Sequence, residues 1–263
     1  MAPENSQGKN LMLDEGISEA CAYIRKVYQD YGMSIPAGSW LWQNLDACEH
    51  IGKGHKLSVP FERRDEMRLF ILGASANVQM FFKNIKVCLE KGKNLQGKLS
   101  EVLTMKYANG KIHEIHNLAC LLRSGLDADF IQENGSKTPD ILITGKGVLE
   151  CKTVHSEEAI SRELVRASRQ MRNSEGEKVV DFYLYILDKE LTDEYVNQLW
   201  RKSVLAVKSD LERIKAFNGF SFSYSLLKEG PNGLLGLELR NHRWVIEGSN
   251  AGLEILRGLQ NTM

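Results

Sequence analysis

This chain has no net charge to offer a polyanion. Its 34 lysines and arginines are balanced by 34 aspartates and glutamates, giving a formal charge of zero. Proteins that coat nucleic acid wholesale usually show a strong basic excess, so the balance speaks against that class. It leaves room for a protein whose acidic site offsets basic patches elsewhere. Cysteine is sparse: the five, Cys21, Cys48, Cys88, Cys120 and Cys151, are scattered and form no C-x-x-C pair. Most fall on apolar stripes, which reads as buried thiols in a reducing, cytoplasmic setting rather than as a disulfide framework. No run approaches the ~20 apolar residues of a membrane span. The stretch from Met1 to Lys9 is polar and lacks the apolar centre of a signal peptide. Internal repeats and low-complexity segments are absent. So are G-x-x-x-x-G-K-[ST], G-x-G-x-x-G and G-x-S-x-G, which lowers NTPase, dinucleotide and α/β-hydrolase readings. What remains is an ordinary globular composition, 43% hydrophobic, long enough at 263 residues for one large domain or two modest ones.

The informative stretch runs from Lys111 to Lys152. Ile141-Leu142-Ile143 and Val148-Leu149 are apolar runs joined by Gly145-Lys146-Gly147, a glycine-rich link that predicts a β-hairpin. Asp140 stands at the start of the first run, after Thr138-Pro139. Glu150-Cys151-Lys152 ends the second. Residues i and i+2 of a strand share a face, so Glu150 and Lys152 point one way and Cys151 the other. Paired strands lie about 5 Å apart, so Asp140, Glu150 and Lys152 can converge on one side of the hairpin.

Two carboxylates and a lysine in that arrangement suit phosphodiester hydrolysis. Carboxylate oxygens bind a hard cation such as Mg²⁺. The cation activates water and offsets charge on the phosphate. The lysine can orient that water or neutralise developing negative charge. Upstream, Ile112, Ile115, Ala119 and Leu122 follow helical spacing, and Glu114 lies off their stripe, where it could supply a third carboxylate.

The order Glu114, then Pro139-Asp140, then Glu150-Cys151-Lys152 resembles the PD-(D/E)XK nuclease superfamily, over roughly residues 109–187. That resemblance implies an α/β fold: a restriction-endonuclease-like or Holliday-junction-resolvase-like core with a mixed central sheet flanked by helices. It implies a Mg²⁺- or Mn²⁺-dependent nuclease. Asp140, Glu150 and the Cys151 carbonyl would hold the metal with help from Glu114, and Lys152 would act on water or the transition state. The expected partner is nucleic acid, DNA favoured over RNA, in restriction, phage defence, recombination or repair.

Around this centre, residues 1–10 read as a disordered tail, residues 11–108 as an all-helical N-terminal region, and residues 109–263 as the nuclease-like domain. Ile17, Ala20, Cys21, Ile24, Val27 and Tyr28 predict a first helix closed by Gly32. Ser39 caps a second. Pro60 opens a long third helix that ends at Lys91-Gly92-Lys93, with Lys83 to Lys93 as a basic end. Ser100 starts a shorter one. This region either docks substrate or a protein partner, including a second copy of the chain, or simply covers the core. A strand is expected over Ala128–Gln132. Ser136 and Lys137 precede the hairpin and could bind a substrate phosphate, or form a plain solvated loop. Ser156 caps a helix to about Arg172. Its Arg162, Arg166 and Arg169 share one face, either a backbone-binding row or ordinary surface charge. Val179 to Leu187 reads as a central strand. Thr192 opens a helix through Val207. Phe220, Phe222, Tyr224 and Leu226 alternate as a half-buried strand. Leu234–Leu239 and Arg243–Ile246 read as two further strands, and a last helix starts at Ser249.

Two other chemistries fit less well. His113 and His116 on one helix have a spacing seen at metal sites, but no third ligand is near in sequence. Cys151 and His155 suggest thiol chemistry, but Cys151 faces away from Glu150 and Lys152. Against the nuclease stands a non-catalytic nucleic-acid-binding or assembly module keeping the same fold, or an RNA-cleaving enzyme.

Overall fold

The computed structural model describes residues 11–52, 64–104, 108–132, 138–184, 192, 194–199, 201–202, 218–229, 235–245 and 250–259. The chain divides into two compact units: Met1–Lys111 with Glu229–Leu237, and Ile112–Lys228 with Glu238–Met263. The first unit is helical. It holds α1 (Leu11–Asp30), α2 (Trp40–Gly52), α3 (Arg64–Glu90) and α4 (Gln96–Thr104). The apolar stripe of α1 is its buried face: Ile17, Ala20, Cys21, Ile24, Val27 and Tyr28 are all hidden. They meet Leu41, Leu45 and Cys48 of α2 and Val78, Phe81 and Ile85 of α3 in a mutually packed trio. Each such large side chain contributes about 1.5–3 kcal/mol on burial. Ser39 caps α2, its Oγ accepting the Trp42 N–H at 3.2 Å. The fourth helix begins earlier than Ser100. Asn94 Oδ1 accepts the Gln96 N–H at 3.0 Å, so Asn94 supplies the start signal, and Lys98 and Leu99 lie buried in the first turn.

The second unit is built on α5 (Asn109–Arg123, from Ile112 on), β1 (Ala128–Phe130), β2 (Ile141–Ile143), β3 (Gly147–Val154), α6 (Glu157–Met171), β4 (Glu177–Leu184), α7 (residues 194–199), β5 (Gly219–Glu229, up to Lys228), β6 (Leu235–Val245, from Glu238 on) and α8 (Asn250–Gly258). Its strands form one mixed sheet in the order β1-β2-β3-β4-β5-β6. The first three pair antiparallel; β3, β4 and β5 pair parallel. The class is therefore α/β with a mixed open sheet. The β2–β3 hairpin forms with Ile141 opposite Leu149. Gly145 turns it at φ +69°, a conformation that costs a side-chain-bearing residue about 1 kcal/mol or more. At Gly147 a Cβ would overlap the Glu177 backbone, so the start of β3 can approach β4 only with glycine there.

Register separates the two faces of the sheet. Val148, Glu150, Lys152 and Val154 of β3 share a face with Val180, Phe182 and Leu184 of β4. That face packs on Ile160, Leu164 and Met171 of α6 and on Val196 and Leu199 of α7, with Phe220, Phe222 and Tyr224 completing the core. Phe182 and Phe222 stand 5.5 Å apart, ring centre to ring centre. The opposite face carries Cys151, Asp181 and Tyr183 and receives α5.

Several local expectations change. The strand expected over Ala128–Gln132 is the shorter β1. Ser156 occupies the N-cap position of α6 in extended conformation but makes no side-chain capping bond, whereas Thr192 does cap α7, accepting the Tyr195 N–H at 3.2 Å. The β5 strand is not half-buried. Residues 220–224 are hidden on both faces, because Ser221 and Ser223 turn inward to a buried carboxylate instead of outward to water. The strands expected over Leu234–Leu239 and Arg243–Ile246 are joined where they are described into one, β6, Leu235–Val245: Asn241-His242 contains no proline to interrupt a ladder. The helix of Ile112 and Ile115 is not amphipathic either. Every residue from Ile112 to Leu122 is buried, so polar residues on it face protein rather than solvent. The start of α3 at Pro60 and the expected end of the Thr192 helix, from residue 203 to Val207, lie outside the described residues.

Candidate functional site

Asp140 sits one residue before β2, where the β2–β3 ladder ends at Ile141 opposite Leu149. Pro139 precedes it and has no N–H with which to continue pairing. In place of a backbone acceptor, the Asp140 carboxylate takes the Cys151 N–H at 2.8 Å. The Asp140 carbonyl meanwhile accepts from Ile131 N at 3.0 Å. The two strands of the hairpin thus part at the position where Glu150 lies across from Asp140. Glu150 and Lys152 share one face of β3, and Asp140 stands at the open end of the hairpin beside Cys151.

Glu150 is completely buried and ion-paired to Lys152. Burial pushes its carboxyl above the ordinary range, and nearby Glu114 pushes the same way, while Lys152 and Gln170 pull it back. Lys152 also donates to Gln170 Oε1 at 2.7 Å. Gln170 in turn donates to the Thr138 carbonyl at 3.3 Å. One glutamine on α6 therefore ties the lysine to the segment leading into Asp140. Sequence reasoning misses Gln170, because a single polar residue beside Arg169 carries no signal. Only the docking of α6 gives it meaning.

Glu114 is buried on α5, the helix that packs against the Cys151 face. Its charge reaches both Glu150 and Cys151, raising each. Among the described residues, however, no group of three or more His, Cys, Asp or Glu side chains is placed to hold a metal ion. Asp140 and Glu150 with the Cys151 carbonyl still form an oxygen donor set of the kind a hard cation takes. The Lys152 ammonium already gives buried Glu150 a positive partner.

The arginines of α6 are divided between solvent and an acid. Arg162 and Arg166 side chains are 63% and 60% exposed, and both lie near Glu163, Arg166 at 2.7 Å. Arg169 is exposed. Ser136 and Lys137 fall outside the described residues.

The opposite face holds a polar cluster that the sequence does not announce. Asp181, fully buried in mid-strand, accepts from Asn117 Nδ2 at 2.9 Å and from Ser223 Oγ at 3.0 Å, and from Ser221 Oγ. His113 Nε2 lies 2.6 Å from its Oδ2. Burial alone would raise this carboxyl, but His113, Ser221 and Asn117 outweigh it and hold the group below the usual carboxylate range. His116 lies 3.4 Å from Cys120 Sγ, and burial, with His113 beside it, pushes its pKa down to about 3. The two histidines thus serve the buried face, His113 at Asp181 and His116 at Cys120. Thiol chemistry at Cys151 fails for a related reason: burial pushes the thiol well up and His155 is exposed. The one signal for Asp181 in the sequence is an acid inside the apolar run Val179-Val180-Asp181-Phe182.

All five cysteines are buried and none is in a disulfide. Among the described residues no helix is long and apolar enough to cross a membrane. Comparison of the chain with protein-family models, with curated proteins and with solved structures gave no match.

Proposed function

We propose that the second unit is a restriction-endonuclease-like core and that the protein is a metal-dependent phosphodiesterase, a DNA endonuclease in preference to an RNA-cleaving one. The observation that carries the reading is the break in the hairpin: Asp140 leaves the ladder, binds the Cys151 N–H, and stands across from Glu150 with Lys152 on the same face. This matches the order and placement of the PD-(D/E)XK motif. Asp140, Glu150 and the Cys151 carbonyl would hold Mg²⁺ or Mn²⁺, with Glu114 contributing charge from the neighbouring helix. A bound divalent cation supplies charge neutralisation at the phosphate and a more acidic water. Lys152, released from Glu150, would donate to a phosphate oxygen or orient the water, with Gln170 Oε1 accepting from the same ammonium. Arg162, Arg166 and Arg169 would meet the nucleic-acid backbone.

A second reading has an observation in its favour. Lys152 is ion-paired to Glu150, and Asp140 accepts a backbone N–H, without any cation. A non-catalytic nucleic-acid-binding or assembly module would look the same. The deciding experiment incubates the full chain with plasmid, linear duplex, single-stranded DNA and RNA, with Mg²⁺ or Mn²⁺ and with EDTA. Cation-dependent cleavage that Asp140→Ala abolishes supports the enzyme. Binding without cleavage under every condition supports the module.

A further inference from the structure

The buried cluster on the far side of the sheet is not part of the chemistry proposed above, yet it touches that site at two points. Asn117 Nδ2 lies 2.9 Å from Asp181 Oδ2 and 3.3 Å from Cys151 Sγ. Cys151 is the residue whose backbone N–H binds Asp140 at 2.8 Å. A continuous chain of contacts therefore runs Asp181, Asn117, Cys151, Asp140. The second point is α5 itself. His113 and Asn117 lie one turn apart on one side of the helix and both reach Asp181. Glu114, between them, has its place set by that double attachment. Ser221 and Ser223 fix Asp181 from β5, so the carboxylate ties α5 to two neighbouring strands and, through Asn117, to a third.

Such a cluster is a poor source of net stability, because taking a carboxylate out of water costs much of what its partners return. Its directional bonds do define one orientation of a helix that is otherwise packed by non-directional apolar contacts. We propose that Asp181 and Asn117 are positioning residues for the candidate site: through Cys151 they fix the N–H that holds Asp140, and through α5 they fix Glu114 beside Glu150. The inference rests on the phosphodiesterase reading only for what the positioned carboxylates then do.

The test compares Asp181→Asn and Asn117→Leu with Leu199→Ala, which truncates a buried apolar side chain on the opposite face and controls for general destabilisation. Amide hydrogen exchange is followed in the full chain without metal. Cleavage is measured in Mg²⁺, and affinity for uncut DNA in Ca²⁺. In both cluster variants the Cys151 amide and the amides of residues 112–122 should exchange at least tenfold faster relative to those of α6. The control should show no such selectivity. Cleavage should fall at least tenfold in kcat while affinity for uncut DNA stays within about twofold. Should Asp181→Asn fail to fold, Asn117→Leu carries the test, since it leaves the carboxylate its other partners. Wild-type exchange at Cys151 and α5 in Asn117→Leu would overturn the proposal, and so would a kcat no lower than that of Leu199→Ala. Selective exchange in a protein whose wild type cleaves nothing would uphold the positioning and sink the nuclease reading instead.

Discussion

The two faces of the central sheet treat buried charge in opposite ways. Behind α5, Asp181 is surrounded by four side chains from two other elements, and burial is matched by directed donors. On the α6 face, Glu150 is equally buried but leans mainly on Lys152, with a second acid nearby and its carboxyl raised rather than lowered. One face has settled its charge. The other holds a raised carboxyl paired to one lysine where two strands part. Perturbed carboxylates of the second kind are where chemistry is found, and those of the first kind hold a fold.

The largest expected effect lies on the settled face. Asp181→Ala removes one partner of a buried charged cluster and should cost about 3–5 kcal/mol, read by denaturant unfolding. Asp140→Ala, at a half-buried position, should cost only about 1 kcal/mol. Equal costs would erase the distinction between the faces. Next, Lys152→Ala should lower cleavage at least about a hundredfold, equivalent to about 2.7 kcal/mol of transition-state stabilisation. Affinity for uncut DNA should change far less. A wild-type rate would make Lys152 a structural ion-pair partner and nothing more.

Mg²⁺ or Mn²⁺ offers a comparison in one sample. If Asp140 and Glu150 hold the cation, the protein is stabilised by about 2.7 kcal/mol at a hundred times Kd, and its melting temperature rises. Asp140→Ala should abolish that rise, and Asn117→Leu should keep most of it. An unchanged melt at millimolar cation, with no heat of binding by calorimetry, would remove the metal site.

Acid separates the faces further. His116 ordinarily titrates at 6.5 but is held to about 3 in the fold. Between those values the unfolded chain binds a proton that the native state refuses. The contribution of His116 is thus fully present above pH 6.5 and is lost as pH falls toward 3. Asp181, also lowered, adds loss further down. Glu150 has the opposite sign: raised above its ordinary 4.5, it stabilises fully below that value and loses this as pH rises through its shifted pKa. Melting temperature against pH for wild type and His116→Gln should differ most below 6.5, with the variant flatter. Identical curves would show that His116 takes up its proton freely in the fold. The smallest effect is expected from replacing Arg162, Arg166 and Arg169 together. The slope of log affinity against log salt should shrink by about 0.9 for each phosphate that is no longer neutralised. An unchanged slope would turn attention to the basic end of α3, Lys83 to Lys93.

Part of the candidate site is legible because it is local. Asp140, Glu150 and Lys152 fall within about a dozen residues of one another, and a period-2 strand with a glycine turn is enough to put Glu150 and Lys152 on one face with Asp140 at the open end of the hairpin. Helix ends read well for the same reason: Ser39 and Thr192 sit next to the amides they cap. Glu114 lies on the expected helix, but its position off an apolar stripe suggests a freedom it lacks, because α5 is covered all round. The serines of β5 mislead in the same way. Their alternation with aromatics predicts water on one side of the strand, whereas Asp181 is there.

The sequence by itself determined the elements whose causes lie within a few residues: the apolar stripes, the hairpin and its glycine link, the helix starts at Ser39, Ser156 and Thr192, and the acid-acid-lysine order. Only the tertiary structure decided what those elements face. Asn117 and Asp181 are 64 residues apart, Ser221 and Asp181 are 40, and Lys152 and Gln170 are 18. No local pattern reports such distances, because a hydrogen bond between distant residues leaves no periodicity in either segment. Whether a buried carboxyl is lowered, as at Asp181, or raised, as at Glu150, depends on those distant donors. That difference, which separates the two faces of this sheet, arises only once the helices have docked.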